Sequence, residues 1–299
     1  SCRETSKPQF PNTMLNRIFG LETEYGLLVH QDSPDHSPTW FAHKIRDHIF
    51  HAQRQGVLDL HLRGHDEPPG NGGFLMNAGR VYLDMGHLEY ASPECHSLTD
   101  VVASDRAGDM ILQRAVQDLG LADQISLIRN NVDHETDATF GSHENYLVTR
   151  RFPFSRRGLA PLVTHLVTRQ IFTGSGRVGA ASPQDAWIQM DRLIVPRAAI
   201  GRSAPIQLPF QISQRADHIV KDFFEWVQQN RAIVNTRDEP LADPNQYRRI
   251  HPLLGDSNMA EYATALKLGT TGLVLQLIED GKAPRELDID EPVESLQEI

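Results

Sequence analysis

Two carboxylates one residue apart, set inside an apolar alternating segment, constrain this chain more than any other feature. From Asn16 to His30, Ile18, Leu21, Tyr25, Leu27 and Val29 are interleaved with Glu22, Thr23 and Glu24, a pattern that predicts a strand. Residues i and i+2 of a strand share a face, so Glu22 and Glu24 project together. Like charges side by side repel unless a cation or a proton sits between them. Oxygen ligands of this kind suit Mg²⁺, which takes one or two carboxylates plus phosphate oxygens and water. The bland alternative is a solvated polar face of an edge strand.

A second group of acids follows. Val81-Tyr82-Leu83 reads as a short strand ending at Asp84, with Glu89 and Glu94 close behind. A carboxylate beside bound metal and phosphate is placed to deprotonate an amine or water, or to attack an acyl carbon. The alternative is an acid-rich turn with His87 and Cys95 as packing residues. Farther on, His143, Glu144 and Asn145 begin a strand whose alternation sends His143 and Asn145 to one face and Glu144 to the other. Zinc fits this segment poorly, since a zinc helix motif would need two His at helical spacing and oxygen ligands dominate elsewhere.

Arg237, Arg248 and Arg249 offer planar forks suited to phosphate or carboxylate, with ion pairs to Asp238 or Glu239 as the alternative. Gly255-Asp256-Ser257-Asn258 reads as a turn and cap for a long helix. Gly174-Ser175-Gly176-Arg177-Val178-Gly179 matches the dinucleotide fingerprint by letters, but a helical pattern precedes it and a Pro-containing loop follows. That context refutes the match and leaves Arg177 on a loop that either reaches an anion or is simply structural. The sequence has no Walker phosphate loop, kinase signature or Gly-x-Ser-x-Gly elbow, so acids and arginines must carry the chemistry.

The remaining pattern predicts helices over 40–55, 98–119, 159–172, near 216–229 and over 258–280. Strands are expected near 125–129, 144–149, 231–234 and 248–254, the first two as hairpin-like neighbours, and mostly loop over 174–208. This mixed order favours α+β with a largely antiparallel sheet. The net charge of −10 argues against nucleic acid as a partner. Two cysteines and the lack of a long apolar run favour a cytoplasmic protein with no membrane partner. Residues 1–14 are polar and read as a disordered leader; residues 15–299 read as one catalytic domain.

The motifs from Arg17 to about Gly281 resemble the Pup ligase/Pup deamidase family, relatives of glutamine synthetase and other carboxylate-amine ligases. The likeness rests on Gly20-Leu-Glu-Thr-Glu-Tyr-Gly26, Tyr82-Leu-Asp84 with His87-Leu-Glu-Tyr90, Gly141-Ser-His-Glu-Asn-Tyr-Leu147, Asn235-Thr-Arg-Asp-Glu-Pro240 and Lys267-Leu-Gly-Thr-Thr271, in family order. It implies a curved, mostly antiparallel sheet packed with helices and cradling ATP and Mg²⁺. By carry-over, Glu22, Glu24, Tyr82 and Glu89 are metal-site residues, Asp84 is the catalytic aspartate, and Arg80, Arg237 and Arg249 bind the cofactor.

The implied partners are Pup or a Pup-like protein tag and its tagged targets, and indirectly a bacterial proteasome. The ligase branch joins the tag's C-terminal Glu side chain to a target lysine; the deamidase (depupylase) branch hydrolyses the equivalent amide. Asn130-Asn-Val-Asp133, Phe210-Gln-Ile-Ser-Gln-Arg215 and the Asp84-to-Glu89 spacing favour the deamidase, whereas the short interval from Glu24 to Asn77 agrees with the ligase. The deamidase is the expectation taken forward. The same residues would also suit a small-molecule carboxylate-amine ligase, or a binding module that keeps the fold without activity. The chain departs from the family at Ala78-Gly79, Leu88 and Leu241, and it stops where family members continue, so the catalytic domain is expected to be incomplete at its C-terminus.

Overall fold

The segment with the paired carboxylates forms a strand, β1 (Phe19–Val29), and it becomes the spine of a ten-stranded sheet. The computed structural model describes residues 17–30, 36–62, 68–133, 139–178, 210–225, 231–284 and 286–299. The expected leader and most of the expected loop over 174–208 lie outside the described residues.

After β1 come α1 (Pro38–Asp47), continued by a π-helical turn (His48–Ala52), and then β2 (Gly56–Leu58), β3 (Gly72–Leu75), β4 (Arg80–Asp84) and β5 (His87–Ala91). Helix α2 (Leu98–Asp118) leads to β6 (Ile125–Ile128) and β7 (Ser142–Thr149), then α3 (Arg156–Thr168) and α4 (Gln170–Thr173). The rest comprises β8 (Arg177–Val178), β9 (Phe210–Gln211), β10 (Lys221–Phe224), β11 (Ala232–Asn235), β12 (Tyr247–Pro252), α5 (Glu261–Glu279) and α6 (Pro292–Glu298). The helices start where hydroxyls can cap them: Ser37, Ser97 and Ser155 each accept from a backbone N–H in the first turn of α1, α2 and α3, satisfying donors that have no intrahelical partner.

Sheet order is β10-β11-β12-β7-β1-β5-β4-β3-β2, with β6 paired to the later part of β1. Every ladder is antiparallel except β10–β11. The α+β class with a mostly antiparallel sheet therefore stands. One sheet face is apolar. Tyr25, Val81, Leu83, Leu88 and Tyr90 pack with Phe41, Ile45, Leu112 and Ala115 of α1 and α2. Phe19, Leu21, Tyr146, Val148 and Ile250 pack with Leu162, Leu166, Leu268 and Leu275 of α3 and α5. Burying such side chains is the main stabilising term for a layered domain of this kind.

Three local expectations need correction. β6 and β7 are not hairpin neighbours, because each pairs with a different stretch of β1. The expected helix near 216–229 is a single 3₁₀ turn (Ala216–His218) followed by β10, which pairs with β11 from Lys221↔Ala232 to Phe224↔Asn235; the strand preference of Phe223 and Phe224, once offered a ladder, outweighs helical spacing. Finally, Asp256 does not cap the long helix. α5 begins at Glu261 behind Ala260, which has no capping side chain.

Candidate active site

Alternation places the opposite sheet face at the centre of the functional question. Across the ladders, Glu24 is the Cα partner of Glu89, Glu22 of His143, Tyr82 of Glu89, and Asp84 of His87. Since facing residues in a ladder point to the same side, Glu22 and Glu24 from β1, Tyr82 and Asp84 from β4, and Glu89 from β5 converge. One oxygen each from Glu24, Asp84 and Glu89 lies within 4.8 Å of the others. Glu22 sits one step along β1 and joins a different group, with ligand atoms of His143 and His251 inside the same limit.

The electrostatics of this face are those of crowded acids. Glu89 is 1% exposed, and its carboxyl is pushed well above the usual range by burial first and by the charges of Glu22, Glu24 and Asp84 next. Burial also pushes at Glu24, but the His87 hydrogen bond and the charges of His143 and Arg215 win, holding it at about 2. Glu22 is likewise held well below the usual range; burial opposes this, and the imidazoles of His251 and His143 with the Arg249 guanidinium overcome it. The proton of the cluster therefore belongs on Glu89, unless a cation displaces it. Tyr82 donates its hydroxyl to Glu89, and burial followed by the Glu89 charge raises the phenol well above its ordinary value, so it stays a donor.

Around the acids stand cations and imidazoles. Arg249 donates to Asn145 Oδ1 at 3.0 Å and lies 3.7 Å from Glu22. His87 Nδ1 is 3.4 Å from Glu24, and His143 lies 3.4 Å from Glu22 and 3.9 Å from Glu24. His251 is buried, with Nε2 3.5 Å from Glu22 and neither ring nitrogen in a well-formed hydrogen bond among the described residues; burial first, then Arg249, depress it to about 4, so the imidazole is neutral near neutral pH. Arg80, on the same face of β4, lies over the Tyr82 ring at 4.4 Å. Arg237 is half-exposed at the rim, paired with Glu239 at 2.9 Å, and Glu239 in turn lies 3.7 Å from Arg249.

The donor chemistry fits a divalent cation. Converging carboxylate oxygens are the kind of donor Mg²⁺ takes, phosphate oxygens and water completing its shell, and a buried carboxylate such as Glu89 ionises only against a compensating charge. Glu22 with His143 and His251 forms a second donor set, for a cation or a polar ligand atom. Backbone shape serves the same face: a Cβ on Gly141 would stand 2.3 Å from His143 Nε2 and 2.7 Å from Glu24 Oε1, so a larger residue there would push these two side-chain ends out of their present places.

Several candidates fall elsewhere. Glu94 is exposed and is not among the acids whose oxygens converge. Arg248 stacks on the Phe154 ring at 3.8 Å and pairs with Asp238. Arg177 is buried and spends its guanidinium on Gln211 and Asp217, which makes the Gly-rich segment structural. Glu144 faces the helices, bound by the fully buried Arg169 and by Tyr146 at 2.5 Å. Cys95 is a buried packing residue bridged to Phe19. Sequence reasoning missed His251 and Arg215. His251 carried a usable signal, being two residues after Arg249 on a predicted strand and hence on the same face.

Comparison with known proteins completes the picture. A family model described as Pup-ligase protein matches residues 17–299. A Pup–protein ligase of Kineococcus radiotolerans is 36% identical over 299 residues, covering 96% of this chain and 56% of the relative. One of Renibacterium salmoninarum is 37% identical over 295 residues, covering 96% and 55%. The crystal structure of the complex between the prokaryotic ubiquitin-like protein Pup and its ligase PafA superposes with a TM-score of 0.71 at 34% identity, covering 96% of this chain and 51% of the other. The structure of the Pup ligase PafA in complex with ADP gives 0.61 at 34% identity, covering 91% and 52%. This chain thus spans about half the length of the relatives it matches. The expectation of a deamidase is overturned, since these curated and structural relatives are ligases. The short Glu24-to-Asn77 interval is a better guide than the segments that favoured the deamidase. Among the described residues, no helix is long and apolar enough to cross a membrane.

Proposed function

The chain belongs to the Pup-ligase protein family, and from that premise we propose that the protein uses ATP to activate a side-chain carboxyl of a small Pup-like protein tag and joins it to a lysine of a target protein. One observation carries this reading: the β1–β5–β4 register gathers oxygens of Glu24, Asp84 and Glu89 within 4.8 Å on the face that also holds Arg249. The relatives support it, one being a ligase described in complex with its tag and another a ligase in complex with ADP.

Glu24 and Glu89, with Asp84 beside them, would hold one Mg²⁺, and Glu22 with His143 and His251 would form a second cation site; a bound divalent ion supplies charge neutralisation for phosphate oxygens. Tyr82 keeps the Glu89 carboxyl oriented through its donated hydrogen bond. Arg249, Arg80 and Arg237 would bind phosphate or carboxylate oxygens, as guanidinium forks do. A carboxylate oxygen of the tag attacks the γ-phosphorus of ATP, the bond to the β,γ-bridging oxygen breaks, and ADP leaves an acyl phosphate behind. The lysine nitrogen then attacks the acyl carbon, Asp84 accepts its proton, and inorganic phosphate departs as the isopeptide bond closes.

The test is a reaction of the intact protein with Mg-ATP, a tag-like peptide ending in Glu and a lysine-bearing target, followed by mass spectrometry. Expected is a target heavier by the peptide less one water, with one ADP released per bond. Release of ADP without any conjugate, or no nucleotide turnover at all, overturns the proposal.

A further inference from the structure

Asn145 stands between two groups of opposite charge on the acid-lined face. Its Cα partner on β1 is Gly20, and Leu147, two residues farther along β7, is the Cα partner of Arg249 on β12. Glu22 in turn lies two residues beyond Gly20. Asn145 is therefore the diagonal neighbour of Glu22 on one side and of Arg249 on the other, a separation that side chains can bridge. The amide uses both of its ends: Nδ2 donates to Glu22 Oε1 at 3.0 Å, and Oδ1 accepts from Arg249 Nη1 at 3.0 Å. A carboxylate only accepts and a guanidinium only donates, so a single setting of the amide satisfies both.

The charges that Asn145 separates are close enough to pair. Arg249 Nη1 lies 3.7 Å from the same Glu22 oxygen, and Nη2 lies 3.7 Å from Glu239. Both distances exceed a hydrogen bond, and Arg249 Nε has no partner among the described residues. The Glu22 and Arg249 side chains are each 17% exposed, shielded enough from water for a direct bidentate pair to be stronger than one at the surface. An unlike pair held apart by a neutral amide gives up that attraction. In return, a carboxylate and a guanidinium stay side by side with oxygens and donors to spare.

We propose that Asn145 is a positioning residue, a neutral spacer that keeps Glu22 and Arg249 from closing on each other, so that Glu22 stays open to a divalent cation and Arg249 to an anionic oxygen. This rests on the ATP-dependent reading above. The oxygen comes from a nucleotide phosphate or from the carboxylate of the tag, which share the chemistry a guanidinium fork recognises. Removing the amide lets the two charges pair, and each is then spent on the other. Putting a carboxylate in its place acts differently: the new acid draws Arg249 to itself, and it also crowds Glu22 with a second negative charge that a cation relieves.

The test uses the intact protein. Mn²⁺, a paramagnetic stand-in for Mg²⁺, is followed by the spin resonance of the free ion; ADP and a peptide ending in Glu are followed by calorimetry; melting temperature is read in EDTA without ligand. N145A should melt no lower than wild type, because an ion pair replaces the two hydrogen bonds lost. It should nevertheless bind Mn²⁺ at the Glu22 site, and at least one of the two anions, about fivefold more weakly, the scale of one ion pair formed in competition. N145D should weaken the same anion and tighten Mn²⁺. Whichever of ADP and peptide is affected identifies the oxygen that Arg249 meets. A merely structural asparagine would not give opposite signs for the cation in the two variants. An N145A protein that melts lower in EDTA, or that keeps its affinities, overturns the spacer role, and so does an N145D protein that binds Mn²⁺ more weakly. If N145A does not fold, the sign of the N145D effect decides alone. Wild-type protein that binds neither ADP nor the peptide overturns the reading of the reaction itself, a separate failure.

Discussion

Glu24 and Glu89 are Cα partners across β1 and β5, so two carboxylates face each other on the buried side of a ladder where like charges destabilise. A chain that keeps such a pair at the centre of its sheet gives up stability in the absence of a cation and regains it when one binds.

Replacing Glu89 by Gln separates those two states. Glu89 has its carboxyl raised well above its ordinary value of 4.5, so the folded protein holds a proton there that the unfolded chain has released. Its contribution is present below the ordinary value and is lost as pH rises through the folded one. In EDTA, the E89Q protein should therefore match wild type near pH 4.5 and exceed it by a margin that grows as pH rises above that. With Mg-ATP the order should reverse, wild type gaining a rise in melting temperature that E89Q lacks. Parallel stability curves in EDTA would refute this account of the cluster.

Asp84 should behave differently. Its oxygen lies with those of Glu24 and Glu89, but the proposed step assigns it the lysine proton. D84N should keep nucleotide binding within a few-fold while slowing conjugate formation about 10²- to 10⁴-fold, the usual span for a lost general base. The effect should be relieved by raising pH, which deprotonates free amine in solution. Loss of nucleotide binding equal to the loss of rate would move Asp84 from the base role to the metal.

The acids were legible because the period of a strand fixes which residues share a face: Glu22 with Glu24, Tyr82 with Asp84. Register could not be read, so the separation of Glu22 toward His143 and His251, away from Asp84 and Glu89, was not foreseen. The role of Asp256 was out of reach for a different reason. Its carboxylate accepts from the backbone N–H of Arg215, 41 residues away, and the sequence offers a nearer, locally sensible use for an Asp before a helix. Local rules chose the cap; burial chose the distant partner. The same competition explains β10, where pairing with β11 decided the conformation of Phe223 and Phe224.

The turn that follows Asp84 is strained. Met85 and Gly86 join β4 to β5 with φ of 46° and 91°, the two positive values of a two-residue hairpin turn that favours Asn-Gly. Glycine adopts this freely, but methionine costs about 1–2 kcal/mol. Met85 is 71% exposed, so little packing would be lost on replacement. M85N should raise unfolding free energy by about 1 kcal/mol, seen as a higher urea midpoint with an unchanged slope. A lower midpoint would show that Met85 makes a contact the turn depends on.

Acid sensitivity should trace in part to His165. This imidazole lies on α3, 3.2 Å from Thr271 Oγ1, and burial first, then the Arg169 guanidinium, depress it from 6.5 to about 4. The unfolded chain therefore binds a proton at this position over a range where the folded protein refuses it. Stability from this group is complete above 6.5 and disappears as pH falls toward 4, at most about 3 kcal/mol by linkage and less for a side chain that keeps some solvent contact. H165Q keeps a polar partner for Thr271 without titrating, so its unfolding free energy should fall less steeply than that of wild type across this interval. Urea denaturation at half-unit steps of pH measures both slopes. Equal slopes would mean that the acid transition is carried by the crowded carboxylates alone, and that His165 is protonated in the folded state.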